Sequence, residues 1–394
     1  MRKIIRLMCI AVVAVMLLPF VLTSCEVIGY KTDALKPTEL DNKVIGKIGD
    51  YDIYYDEYSF LALEYRRSLE YKYGEGIWDD PETAEKYREE LEALVCEGIK
   101  ANYVILTLCD EYGYKNALNK RDIKKSVDSY IYTMVCAAYN EKYSKSDSAN
   151  GGSSGSEAGA TTEAEAKADT SLTSKQMKEA YAYYEKTLRE EGLTDRVMRT
   201  FIGVEYAESK LYDIFCEKDL IPYSDDDIWE IMTSDEFICT DHIFLKCEND
   251  EDFEKKYAKA VEVRDALRKG DAELEDYIRN GTDQDFSRPS TAGYYFVKGS
   301  MDEAYEDAAF GLEVGGISDV VKTDKGYYVI KRFEKDRTFM NTHISQYSSQ
   351  ISYAKMLEIV NPRRAELSIE LNDFGKTLDL VTLMPDSTLS TAGK

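Results

Sequence analysis

Apolar residues recur at steps of three and four along three long stretches of the chain. Leu91, Leu94, Val95, Ile99, Tyr103, Leu106 and Cys109 form one stripe. Ile123, Val127, Tyr130, Ile131, Met134 and Ala138 form a second, and Val197, Phe201, Val204, Leu211, Ile214 and Phe215 a third. That period places each set on one face of a helix. Each stripe needs a partner, so residues 43–234 are expected to form a helical domain. Val44 to Tyr55 holds two β-prone runs around Gly49-Asp50, which predicts a hairpin at its start. Residues 144–172 interrupt the pattern. They carry almost no apolar side chain beyond alanine, cannot bury a core, and predict a disordered insertion. Thr173 with Gln176 then predicts a capping box that restarts the helix.

The pattern changes after residue 234. Phe237 to Leu245 reads as a strand, and 250–269 as a charged helix with Tyr257, Ala260, Val261, Val263 and Leu267 inward. Asp271 to Arg279 predicts a shorter helix. Tyr294 to Val297, Val320 to Lys322 and Tyr327 to Arg332 are further strands, with Asp302 to Phe310 helical among them. An antiparallel sheet flanked by helices follows for 235–336, so the fold class is α+β. The tail, 337–394, opens with a helical run (Tyr347, Ile351, Ala354, Leu357) broken at Pro362, after which Leu367, Ile369 and Leu371 alternate like a strand.

The first residues change the picture of where the chain works. Arg2, Lys3 and Arg6 precede an apolar run from Leu7 to Leu22. That run is short for a spanning helix and has the build of a secretory signal over 1–24. Leu22-Thr23-Ser24-Cys25 resembles the bacterial lipoprotein box, which implies cleavage before Cys25 and lipid attachment at its thiol, with 25–42 as a tether. Residues 1–24 carry three positive charges and no acid, so their removal takes the formal charge from −24 to −27. Such a surface repels nucleic acid and gains nothing from anionic headgroups, so attachment to the membrane rests on the lipid. The expected location is the extracytoplasmic face of a bacterial cell membrane. Six cysteines remain beyond Cys9 and Cys25, without a C-x-x-C pair, and the chain has two histidines. Neither a metal site nor a cofactor is expected, and buried free thiols are favoured over a disulfide framework.

Four motifs occur in order in the second domain: His242-Ile243, Gly299 to Met301, Glu306-Asp-Ala-Ala-Phe310, and Val314 to Ser318. Together they resemble the parvulin family of peptidyl-prolyl isomerases. A hairpin and long amphipathic helices ahead of such a unit, in a lipoprotein, look like the exported foldases of the SurA and PrsA type. The resemblance implies a helical chaperone domain, a parvulin-like domain at 235–336, and a C-terminal segment that packs back on the helical domain. It implies partners too: unfolded or newly exported polypeptides and X-Pro peptides.

Carried over residue by residue, the resemblance places His242 at the family's first histidine. Met301, Tyr305 and Phe310 fall at the peptide pocket, with Tyr305 where the family usually has phenylalanine. Asp283 and Asp285 bracket the family's acidic or cysteine position, and either is a candidate. Tyr328 stands where the family has its second histidine. A phenol cannot switch tautomers as imidazole does, so a retained fold with weak or absent isomerase activity is expected. A solute-binding or adhesive surface lipoprotein is the alternative, but no alternating β-α run of a two-lobed binder is visible.

Overall fold

The computed structural model describes residues 40–147, 172–288 and 293–383. The expected signal, Cys25, nearly all of the tether and most of the insertion lie outside the described residues. So do 289–292 of the turn that ends at Gly293. The chain divides into two compact units, Met1–Leu211 with Pro362–Lys394, and Tyr212–Asn361.

In the first unit, β1 (Val44–Ile48) and β2 (Tyr51–Tyr54) form the antiparallel hairpin. Gly49 turns it at φ 56°, a conformation that favours glycine. The helices that follow are α1 (Tyr55–Tyr73), α2 (Pro81–Glu111), α3 (Arg121–Asp147), α4 (Ser174–Glu190) and α5 (Asp195–Glu217). All three stripes are helical. Leu91, Val95, Ile99, Ile131, Val197 and Phe215 are among the fully buried residues. Thr173 and Gln176 form the capping box of α4. The third helix runs through Asp147, past the expected start of the insertion at 144. Extending a formed helix fixes one residue per hydrogen bond and needs no apolar partner, so polarity alone does not stop it.

A buried polar cluster ties the start of α1 to α2 and α5. Asp56 is 2% exposed and accepts hydrogen bonds from Thr194 Oγ1 at 2.7 Å, from Arg196 Nε at 3.1 Å and from Arg196 Nη2. Beside it Glu57 is fully buried and accepts from Tyr103 Oη at 2.9 Å. Burial pushes the Glu57 carboxyl up to about 7, against the opposing pull of Arg196 and Tyr103.

The second unit holds α6 (Asp225–Thr233), β3 (Phe237–Lys246), α7 (Asp250–Lys269), α8 (Leu274–Arg279), β4 (Tyr294–Val297), α9 (Glu303–Phe310), β5 (Val321–Thr323), β6 (Gly326–Phe333) and α10 (Arg337–Thr342). Next come α11 (Ile344–Glu366) and β7 (Ile369–Leu371). The four strands β4-β3-β6-β5 make one antiparallel sheet. Strand alternation divides β3 between two faces. Phe237 and Cys239 join Ile228, Met340 and Ile351 in one cluster, and Ile243 joins Val263 and Leu267 of α7 in another. Ile238 packs on the opposite side with Phe296, Ile330, Tyr305 and Ala309, under α9. This unit therefore extends beyond 235–336, because α6, α10 and α11 supply one of its clusters. Tyr257, expected inward, is 52% exposed. Its ring only flanks Tyr327, at 5.6 Å between centroids, and its polar tip favours that edge position.

Pro362, expected to break a helix, lies inside α11. Just beyond it Arg363 pairs with Glu111 and Glu366, and Arg364 with Glu97 at 3.6 Å. The alternating tail forms β7, which pairs antiparallel with β1 through Ile48↔Ile369 and Gly46↔Leu371, giving a second sheet of order β2-β1-β7.

Candidate active site

The candidate residues are held by β3 and by the loop that takes over its free edge. Strand β4 pairs with β3 through Thr240 and no further. Beyond it, residues 283–288 satisfy the exposed backbone of β3. Phe244 N donates to Asp283 Oδ1 at 2.8 Å, Gln284 N to Phe244 O at 2.9 Å, and Lys246 N to Gln284 Oε1 at 3.0 Å. Arg288 donates to His242 O and to Asp283 Oδ2, and forms an ion pair with Asp241. Gly293 sits at φ 96°, where an added Cβ would lie 2.7 Å from Thr240 O, so the chain can close on β3 here only with glycine.

His242 is 3% exposed and hydrogen-bonded at both ring nitrogens. Nδ1 is 3.0 Å from Tyr305 Oη, which is itself 2.9 Å from Thr240 Oγ1. Nε2 is 3.1 Å from Asp285 Oδ2. Tyr294 stacks on the imidazole at 5.0 Å, while Tyr305 and Tyr328 meet it edge-on at 5.4 and 5.0 Å. Asp285 also accepts from Tyr294 Oη, Ser287 N and Ser287 Oγ. Burial pushes its carboxyl up, but the hydrogen bonds from His242, Tyr294 and Ser287 outweigh burial and hold it well below the usual carboxylate range. The phenols of Tyr294, Tyr305 and Tyr328 are all pushed up, chiefly by burial, so they stay protonated.

The two bracketing aspartates differ. Asp285 contacts the histidine, whereas Asp283 clamps the Phe244 backbone and pairs with Arg288. Burial raises the Asp283 carboxyl, partly offset by the Phe244 N–H. Tyr305 is 1% exposed, so its ring fills the core beneath the site rather than a surface pocket. Met301 is half-buried on the same cluster, and Phe310 meets Phe296 edge-on at 5.7 Å. Tyr328 stacks on Phe244 at 4.5 Å and contacts the histidine through its ring alone. Among the described residues its hydroxyl makes no hydrogen bond. Glu306 fixes the G-S-M turn by accepting from Gly299 N at 2.9 Å, Ser300 N at 2.8 Å and Met301 N at 2.7 Å. Sequence reasoning missed Thr240 and Tyr294 as site residues. The signal for Thr240 was present, since it lies two positions before His242 on an alternating strand.

Residues 242–334 match the rotamase family, described as a PPIC-type PPIASE domain. This segment is a parvulin-type rotamase domain. It begins at His242 itself, so the match spans every site residue named above except Thr240 and Asp241. The chain is 33% identical over 141 residues to the foldase protein PrsA of Bacillus subtilis (strain 168), covering 34% of this chain and 44% of that relative. It is 32% identical over 169 residues to the foldase protein PrsA of Geobacillus kaustophilus (strain HTA426), covering 41% and 52%. The chain thus spans about half the length of these curated relatives. Among solved structures, peptidylprolyl isomerase (PrsA) from Bacillus anthracis is similar over 74% of this chain and 94% of that one, with a TM-score of 0.30 and 18% identity. Among the described residues the rotamase domain holds no cluster of metal-ligating side chains, and no helix is long and apolar enough to cross a membrane.

Proposed function

We propose that the chain is an extracytoplasmic foldase that binds newly exported, unfolded polypeptides and is anchored to the membrane through lipid on Cys25. The observation that carries this reading is the gathering of His242, Asp285, Tyr305 and Tyr328 in one polar cluster beside the half-buried Met301, inside a rotamase domain whose relatives are foldases. Rotation about an X-Pro bond is slow because amide resonance gives it a barrier of about 18–20 kcal/mol. A catalyst of that rotation needs an apolar grip on the proline and polar groups that favour the twisted amide; no nucleophile is required. His242 and the half-buried phenols of Tyr294 and Tyr328 supply the polar groups, and Met301 the edge of the grip. The single imidazole of the site, with the Tyr328 hydroxyl unbonded among the described residues, supports binding as the stronger activity and isomerisation as the weaker.

Suppression of aggregation of an unfolded client, beside NMR exchange measurements on X-Pro peptides, tests the reading. Client protection with slow peptide exchange, reduced by Met301→Ala, is expected. No protection at equimolar protein would overturn the foldase reading, and fast exchange lost in His242→Ala would overturn the ranking of the two activities. Cys25→Ser is expected to move the protein from the membrane to the soluble fraction, and unchanged retention would overturn the anchor.

A further inference from the structure

The imidazole of His242 has its two nitrogens committed to different partners, and that decides where its protons sit. Asp285 is ionised and can only accept, so Nε2 must carry the hydrogen toward it. In the neutral ring Nδ1 then accepts, and the Tyr305 hydroxyl is its donor at 3.0 Å. Tyr305 Oη in turn accepts from Thr240 Oγ1 at 2.9 Å. Both hydroxyls lie on buried residues, with Tyr305 1% and Thr240 0% exposed, so water is not an alternative partner. Tyr328 contacts the same ring at 5.0 Å yet gives it no hydrogen bond.

We propose that Tyr305, backed by Thr240, is the positioning residue that fixes the orientation and tautomer of His242, and that Tyr328 has no part in this. The role rests on the foldase reading only for its use in catalysis; the hydrogen-bonded state of the ring can be tested without it. A phenylalanine at 305 would keep the ring packing against Phe296 and lose only the oxygen. The role is thus separable from the core.

The experiment is nitrogen-detected NMR of the histidine ring in the full chain, where the presence of two histidines makes assignment by His343→Gln direct. The unaltered protein is expected to show one His242 tautomer, protonated at Nε2, with a hydrogen-bonded Nδ1. Tyr305→Phe is expected to lose the hydrogen-bonded Nδ1 signature and to slow any X-Pro peptide exchange up to about tenfold. Tyr328→Phe is expected to leave the ring pattern as it was. Should Tyr305→Phe alone fail to fold through the stranded Thr240 hydroxyl, the pair Tyr305→Phe with Thr240→Val removes both oxygens and gives the same reading. An unchanged His242 ring in either 305 variant, or a ring altered by Tyr328→Phe instead, would overturn the proposal. Loss of client protection in the unaltered protein would count against the foldase reading alone.

Discussion

Two buried carboxylates, Glu57 in the helical unit and Asp285 in the rotamase domain, are driven in opposite directions. Glu57 is fully buried and receives one hydroxyl donor, with the nearby guanidinium engaged by Asp56. Burial wins, and its carboxyl rises to about 7. Asp285 is less deeply placed and receives hydrogen bonds from an imidazole, a phenol, a hydroxyl and a backbone N–H. There the donors win. The number of donors, more than burial as such, decides whether a carboxylate is a strained part of a core or a fixed anion.

The strongest way to break this comparison is to remove the cation that Glu57 shares with Asp56. Arg196→Ala leaves Asp56 buried and uncompensated, and should lower stability by about 3 kcal/mol in denaturant unfolding. Of similar size, and specific in pH, is the contribution of Glu57 itself. Its folded value is raised, so the stabilisation is fully present below the unfolded value near 4.5 and is lost as pH rises through about 7. Unfolding free energy should therefore fall across that window by on the order of 3 kcal/mol, and Glu57→Gln should flatten the fall. Asp285 has the opposite sign. Its depressed value adds stability above the ordinary carboxylate range that disappears only as pH falls through its low folded value. Asp285→Asn should cost about 1–2 kcal/mol at neutral pH and remove the strongly acidic part of the titration. The smallest effect belongs to Tyr328→Phe, at under about 0.5 kcal/mol, because its hydroxyl has no partner to lose among the described residues. A loss of 2 kcal/mol there by thermal unfolding would contradict the site as drawn.

Much of the fold could be read from periodicity, because burial sets it directly. The three helical stripes, the hairpin at Gly49 and strand β3 each carry their own local signal. Residues 144–147 did not follow local rules, since helix propagation outweighed a polar run, and Pro362 lies inside a helix that it does not end. At the site, His242 and Tyr328 could be located by motif. Asp283 and Asp285 could not be told apart, because they sit on a loop whose course depends on which backbone groups of β3 lack a β4 partner. Tyr305, expected at the peptide pocket, is 1% exposed. A phenylalanine-like position predicts a ring, and only three-dimensional neighbours show what the added oxygen meets.

The pairing of β7 with β1 joins residues more than three hundred positions apart, as in Ile48↔Ile369. The rotamase-bearing unit, by contrast, is one continuous stretch, Tyr212–Asn361. For a chain that emerges from its amino end, the order of assembly follows from this layout. The continuous unit has all its strands before β7 exists, while the hairpin waits with the β7-facing edge of β1 open. A chain stopped before residue 369 would retain a complete rotamase sheet and an unprotected strand edge, so residues 369–371 complete the hairpin's sheet and not that of the rotamase domain.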